Sequence, residues 1–166
     1  MSMDAADQPA VCRDYLGTLL GEESNALREL EELLLRENEV LAARNVAAIE
    51  RTAVIRQQMM GELARIEEQR RSLCRMHGHA PDWLGLENLM RWCDPNGTVL
   101  PRLRECAQRA MRCRDLNDRN GTLVAARLHQ VEDMLVALGS AARPMTYGPT
   151  GVSTSLGAKK RELGAA

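Results

Sequence analysis

The sequence predicts an all-α protein, an elongated antiparallel bundle of three long helices with a short connector helix and a flexible C-terminal tail. Three observations predict it. Among 166 residues there is no Phe and only two Trp and two Tyr, so the apolar content rests on Leu, Ala and Met. These are helix formers rather than the β-branched and aromatic residues that favour strands. Leucines recur at spacings of three, four and seven over long stretches, the period of an amphipathic helix. Strong turn signals occur in only a few places. The predicted organisation is a loose segment over 1–9, a helical domain over 10–139 and a Gly/Ser/Ala-rich tail over 140–166.

Pro9 is tolerated in a first helical turn and marks the entry to the first helix. Leu16, Leu20, Leu27, Leu30, Leu34 and Leu41 then form one apolar stripe, although Glu23 and Glu37 fall at interior heptad positions. The stripe loses phase between Ala42 and Val46. Val46, Ile49 and Ala53 begin a second one, continued by Met59, Leu63, Ile66 and Leu73, with Asn45 placed to cap it. One unbroken helix from Pro9 to Met76 would run to roughly 100 Å, more than the remaining chain could cover. A hairpin turning at Ala43 to Asn45 buries both stripes instead.

Residues 77–98 form the connector. Pro81 can open a short helix through Trp92, with Trp83, Leu86, Leu89 and Met90 on its apolar side, and Asp94 to Gly97 reads as a tight turn. The connector is expected to lie across one end of the hairpin.

The last helix carries the most regular pattern. Leu100, Leu103, Ala107, Ala110, Arg114, Asn117, Gly121, Val124, Leu128, Val131, Leu135 and Leu138 alternate in threes and fours. The phase holds across Asn120-Gly121, a pair that elsewhere marks a turn. The pair is therefore expected inside one continuous helix, where the Gly costs about 1 kcal/mol in propensity. Close packing of a neighbouring helix at Gly121 would offset that cost, with Asn117 and Asn120 fixing register through hydrogen bonds.

Charge narrows the function classes. The 22 basic and 23 acidic residues nearly balance, but from Val11 to Arg44 eight acids face four bases, and from Gly139 onward four bases face one acid. With bases interleaved among acids and almost no aromatics for stacking, nucleic-acid binding is not indicated. No apolar run is long enough to span a bilayer. The five cysteines, odd in number and without framework spacing, point to reduced thiols and a cytoplasmic protein.

Chemistry finds little support. Cys74, His77, His79 and Cys93 supply zinc-type ligands, but their spacing matches no standard finger, and a buried thiol with loop histidines accounts for them. Cys106 and Cys113, seven apart, read as small core residues rather than a redox pair. No Ser or Cys has a nucleophile's surroundings, and no glycine stretch has phosphate-cradle spacing. No enzyme, metal or cofactor is expected. The stripe Leu128, Val131, Leu135 and Leu138, flanked by Met134, has two readings: packing on the first two helices, or a face for a partner's amphipathic helix.

The run Asp115 to Leu138 followed by Tyr147-Gly148-Pro149-Thr150-Gly151 resembles the C-terminal half of the FlgN family, chaperones of flagellar type III export. Asn117, Asn120, Gly121, Tyr147, Gly148, Pro149 and Gly151 carry the match, and the resemblance extends over roughly Asp14 to Gly151. Thr150 stands where the family commonly has an acid, and the connector with Trp83 and Trp92 matches no family motif. The resemblance implies antiparallel helices and binding of the hook–filament junction (hook-associated) proteins through their C-terminal helical segments, before delivery to the export gate. It places the client surface on Leu128, Val131, Met134, Leu135 and Leu138, with Tyr147 a docking residue for client or gate. A homodimer by helix exchange, or a coiled-coil scaffold without a client, are the alternatives left open.

Overall fold

A computed structural model describes residues 8–141, with side-chain surroundings over 8–139. It contains four helices and, among the described residues, no strand: α1 Gln8–Ala42, α2 Val46–Met76, α3 Trp83–Cys93 and α4 Leu100–Ala141. The segments 1–7 and 142–166, which hold most of the expected loose N-terminus and the tail, lie outside the described residues. The chain divides into two compact units between Ala126 and Arg127, and α4 contributes to both.

In the first unit the α1–α2 turn falls at Ala43 to Asn45. The amide of Asn45 donates to Val40 O at 3.2 Å and that of Arg44 to Leu41 O at 3.3 Å, a paired closure that spends two orphan carbonyls of α1. It requires a left-handed residue, and Arg44 takes that role at φ 58° where Gly is usual. The Asn45 side chain then accepts the Ala48 amide at 3.0 Å and starts α2. The far end of α2 closes in the same manner, with Gly78 at φ 75°.

The core is built from α1 outward. Leu16, Leu20 and Leu34 are fully buried, joined by Ile66 of α2 and Leu89 of α3. Each such side chain contributes about 2 kcal/mol through the apolar area it removes from water. The connector helix spans the end where α1 begins and α2 finishes: Leu86, Leu89, Met90 and Cys93 share one cluster with Cys12, Leu16, Leu73 and Cys74. Trp83 departs from the expected apolar side. It is exposed and donates from its indole nitrogen to Glu87 at 2.8 Å, because Gly85, Leu86 and Leu89 turn the buried face away from it.

A turn over Asp94 to Gly97, closed by the Gly97 amide on Asp94 O at 2.9 Å, leads into α4. The Asp94 carboxylate accepts the Thr98 hydroxyl at 2.6 Å and the Val99 amide at 2.8 Å. Burial alone would raise its pKa, but these donors outweigh burial and hold it below the ordinary 3.8. A depressed carboxyl contributes stability above its unfolded pKa and loses it as pH falls through the folded one. The stability gap between the native chain and Asp94→Asn, followed by thermal melts from pH 7 to pH 3, is therefore expected to close only below 3.8. A gap unchanged across that range would remove the role assigned to this carboxylate.

Along α4 the buried face sits one residue before the expected seam. Leu103, Cys106, Cys113 and Asn120 are buried, whereas Ala107, Ala110, Asn117 and Gly121 are exposed. The reason is a ladder at seven-residue intervals. Cys106 donates to Leu20 O at 3.3 Å, Cys113 to Leu27 O at 3.4 Å and Asn120 to Leu34 O at 2.9 Å. Residue numbers rise together on both helices, so α4 runs parallel to α1 and antiparallel to α2 within this unit. Small donors let the two backbones approach, and Val99 fits beside Gly17 one heptad earlier, 3.4 Å from where a Cβ would stand.

Candidate functional site

α4 carries two contrasting features, a buried polar junction and an exposed apolar face. The buried polar junction belongs to the first unit. Asn120, 2% exposed, donates from its amide nitrogen to Leu34 O and to Glu37 Oε2, each at 2.9 Å, and its oxygen accepts from Asn38 at 2.9 Å. Glu37, also buried, pairs with Arg56 of α2 at 3.2 Å. One side chain thus ties α4 to α1 and, through Glu37, to α2. Both N–H donors of the amide and its oxygen are engaged in one register, which is how a buried Asn specifies helix phase.

Asn120 is thus buried and hydrogen-bonded across helices, while its two neighbours are placed differently. Asn117 is exposed, and a Cβ on Gly121 would meet nothing within 4 Å. Among the described residues, no helix presses on Gly121. The expectation of close packing there is corrected by the one-residue rotation of α4, which turns Asn120 inward and leaves the Gly on the outer face.

The second polar seam position, Glu23, meets Arg70 at 2.9 Å, both half-buried. Burial pushes this carboxyl above its ordinary value against the pull of the guanidinium. The two acids that interrupted the leucine stripe of α1 thus both bridge it to α2, beside the more exposed pair of Glu22 with Arg65 at 3.8 Å.

The exposed apolar face belongs to the second unit. Leu128, Val131, Met134, Leu135 and Leu138 are between 53% and 67% exposed, and Val136 is more exposed still. Their three- and four-residue spacing puts the first five on one face of the helix over three turns. Beside it His129 Nδ1 lies 3.5 Å from Glu132, both exposed. Tyr147, the remaining expected contact, lies outside the described residues.

All five cysteines are free and buried. Burial pushes the Cys12 and Cys106 thiols up to about 12 and raises those of Cys74, Cys93 and Cys113, so they stand protonated and weakly nucleophilic. Among the described residues no group of three His, Cys, Asp or Glu side chains could hold a metal ion. His77 packs against Trp92 in a tilted arrangement, with ring centroids 4.9 Å apart and ring planes 41° from parallel, instead of joining Cys74 and Cys93. No described helix is long and apolar enough to cross a membrane.

Sequence reasoning missed the Cys106–Cys113–Asn120 ladder as a unit. The signal was present as a seven-residue repeat of small donors, one position ahead of the more conspicuous apolar repeat. A family model described as FlgN protein matches residues 13–155. No curated protein and no solved structure matches the chain.

Proposed function

The chain belongs to the FlgN family of flagellar export chaperones, and from that membership we propose that it binds the C-terminal helical segments of the hook–filament junction proteins. It keeps those segments soluble in the cytoplasm and delivers them to the flagellar export gate. The family is in general non-enzymatic.

One observation carries the reading: Leu128, Val131, Met134, Leu135 and Leu138 present a face of large, more than half-exposed apolar side chains along three helical turns. A face of this kind gains about 25 cal/mol for each Å² of apolar area that a client covers. The client's own amphipathic helix is the natural cover, because it carries a complementary stripe that would otherwise self-associate. Leu and Met accommodate stripes of differing shape, which suits a chaperone with more than one client. Tyr147 is assigned a docking contact with client or gate.

The experiment is titration of a junction-protein C-terminal peptide into the full chain and into a Leu135→Asp, Leu138→Asp variant. Two carboxylates set in an apolar interface are expected to weaken binding by roughly 100-fold, about 2.7 kcal/mol, with the melting temperature little changed. Equal affinity in a folded variant places the client elsewhere. Absence of binding by the native chain, together with a fixed oligomer, favours a scaffold. The same titration on Tyr147→Ala, paired with an export assay, separates a client contact from a gate contact.

A further inference from the structure

The chain carries two Asn-Gly-Thr stretches, Asn96 to Thr98 and Asn120 to Thr122, and the fold sets them in opposite surroundings. Asn120 is buried, its amide nitrogen spends its hydrogens on Leu34 O and Glu37, and Gly121 lies inside α4. Asn96 stands exposed in the turn between α3 and α4, and no hydrogen bond among the described residues holds its side-chain amide. The backbone nitrogen of Gly97, which follows it, is tied by one bond, to Asp94 O at 2.9 Å. Gly97 has no side chain to shield that nitrogen, and a Cβ there would meet nothing within 4 Å.

We propose that Asn96 is a site of spontaneous backbone modification, passing through a succinimide to isoaspartate, and so a substrate for an isoaspartyl O-methyltransferase. In the first step the Gly97 nitrogen, giving its proton to hydroxide, attacks Asn96 Cγ. The N–Cγ bond forms, the Cγ–Nδ2 bond breaks, and ammonia leaves. Water then opens the ring. Cleavage at Cγ gives aspartate; cleavage at the original carbonyl carbon gives isoaspartate, whose chain runs on through Cβ and Cγ. Asp94 has no such route, because Pro95 lacks the attacking N–H. At Asn120 the helical backbone holds the Gly121 nitrogen away from Cγ, so reaction there requires α4 to open and the buried amide to leave its partners, whereas the exposed turn releases one bond. The product reaches the anchor of α4. Isoaspartate lengthens the backbone and adds a negative charge in the turn where the Asp94 carboxylate holds the Thr98 hydroxyl and the Val99 amide. The contacts displaced are those of buried Val99 beside Gly17 and of Arg102, which donates to Gly17 O at 3.0 Å.

This chemistry is independent of client binding. The full native chain is incubated at mildly alkaline pH in heavy-oxygen water, beside a sample held in urea. Both are digested with trypsin, and the peptides Trp92–Arg102 and Asn120–Arg127 are read by mass spectrometry. In the native chain the Asn96 peptide is expected to take up label at least about 10-fold faster than the Asn120 peptide, the ratio given by a difference of about 1.4 kcal/mol in opening free energy. In urea the two rates are expected to converge. Isoaspartate is expected as the main product by fragmentation, and isoaspartyl O-methyltransferase with S-adenosylmethionine to methylate that peptide and not the other. Asn96→Gln, which closes the larger ring far more slowly, is expected to remove the label and leave the melting temperature unmoved. In the aged chain hydrogen exchange is expected to quicken from Val99 to Leu103 and not around Asn120. The proposal is overturned by an unlabelled Asn96 peptide over a period in which the urea sample converts, or by equal labelling of both peptides in the native chain. Label that persists in Asn96→Gln, or that yields aspartate alone, overturns it as well.

Discussion

Asn120→Ala is expected to destabilise the chain by about 3 kcal/mol, lowering the melting temperature by roughly 10 °C. The side chain makes three hydrogen bonds, and truncation strands partners that remain buried. Glu37 loses a donor to its carboxylate, Asn38 loses its acceptor, and the Leu34 carbonyl loses its second donor. Leaving a buried charged group short of a partner costs more than the net value of the bond removed. Arg56 still pairs with Glu37, which keeps the loss finite. A shift under about 2 °C in differential scanning calorimetry would show that the junction is not what holds α4 in place.

The isosteric change Asn120→Asp separates polarity from shape. It sets a second carboxyl where an amide donated to Glu37 at 2.9 Å, so the two acids cannot both ionise without strong repulsion. Their shared proton is held more tightly in the folded than in the unfolded chain. A raised carboxyl pKa means stability that is present at acid pH and lost as pH climbs. Asn120→Asp is accordingly expected to be the worse variant at pH 7 and to recover on acidification, while Asn120→Ala is not rescued. That contrast also bears on register, because the ladder of Cys106, Cys113 and Asn120 ends in its one strong polar member.

The long helices and the hairpin were legible because their signals are redundant. Each apolar stripe repeats over many turns, and Asn45 caps α2 where the phase breaks. The rotation of α4 was not legible. Its apolar seam through Leu100, Leu103 and Leu128 outweighs two cysteines and an asparagine on any hydrophobicity count. The structure nevertheless buries Cys106, Cys113 and Asn120, because small hydrogen-bonding side chains let helix backbones come close where larger apolar ones keep them apart. Glu23 and Glu37 were visible as flaws in a stripe, but their partners Arg70 and Arg56 lie 47 and 19 residues away, a separation that periodicity does not encode. The distal face was legible as residues and ambiguous as a role, since an apolar stripe reads alike whether a core or a client covers it.

Gly85→Ala is expected to be the most damaging single methyl that can be added to this chain. A Cβ there would stand 1.7 Å from Ala80 O and 2.6 Å from Ala80 C, both backbone atoms. No rotamer change relieves a contact with backbone. Ala80 precedes Pro81, which confines it to extended conformations and resists the shift. Either the 80–81 segment or α3 must move by more than 1 Å, and the Asp82 side chain ties them together by accepting the Gly85 amide at 2.7 Å. Displacing α3 uncovers Leu86, Leu89, Met90 and Cys93, the lid on the cluster that contains Cys12 and Leu16. Overpacking of this severity costs about 3 kcal/mol, most of it concentrated at the connector. Hydrogen exchange is therefore expected to accelerate in α3 and the first turns of α1, while Leu27 to Leu34 stay protected by the α4 ladder. Trp92, packed against His77, provides an optical readout through a red-shifted emission as the connector loosens. Native-like emission and protection in Gly85→Ala would mean that the 80–81 backbone yields without cost, and that α3 is a strap over the core rather than part of it.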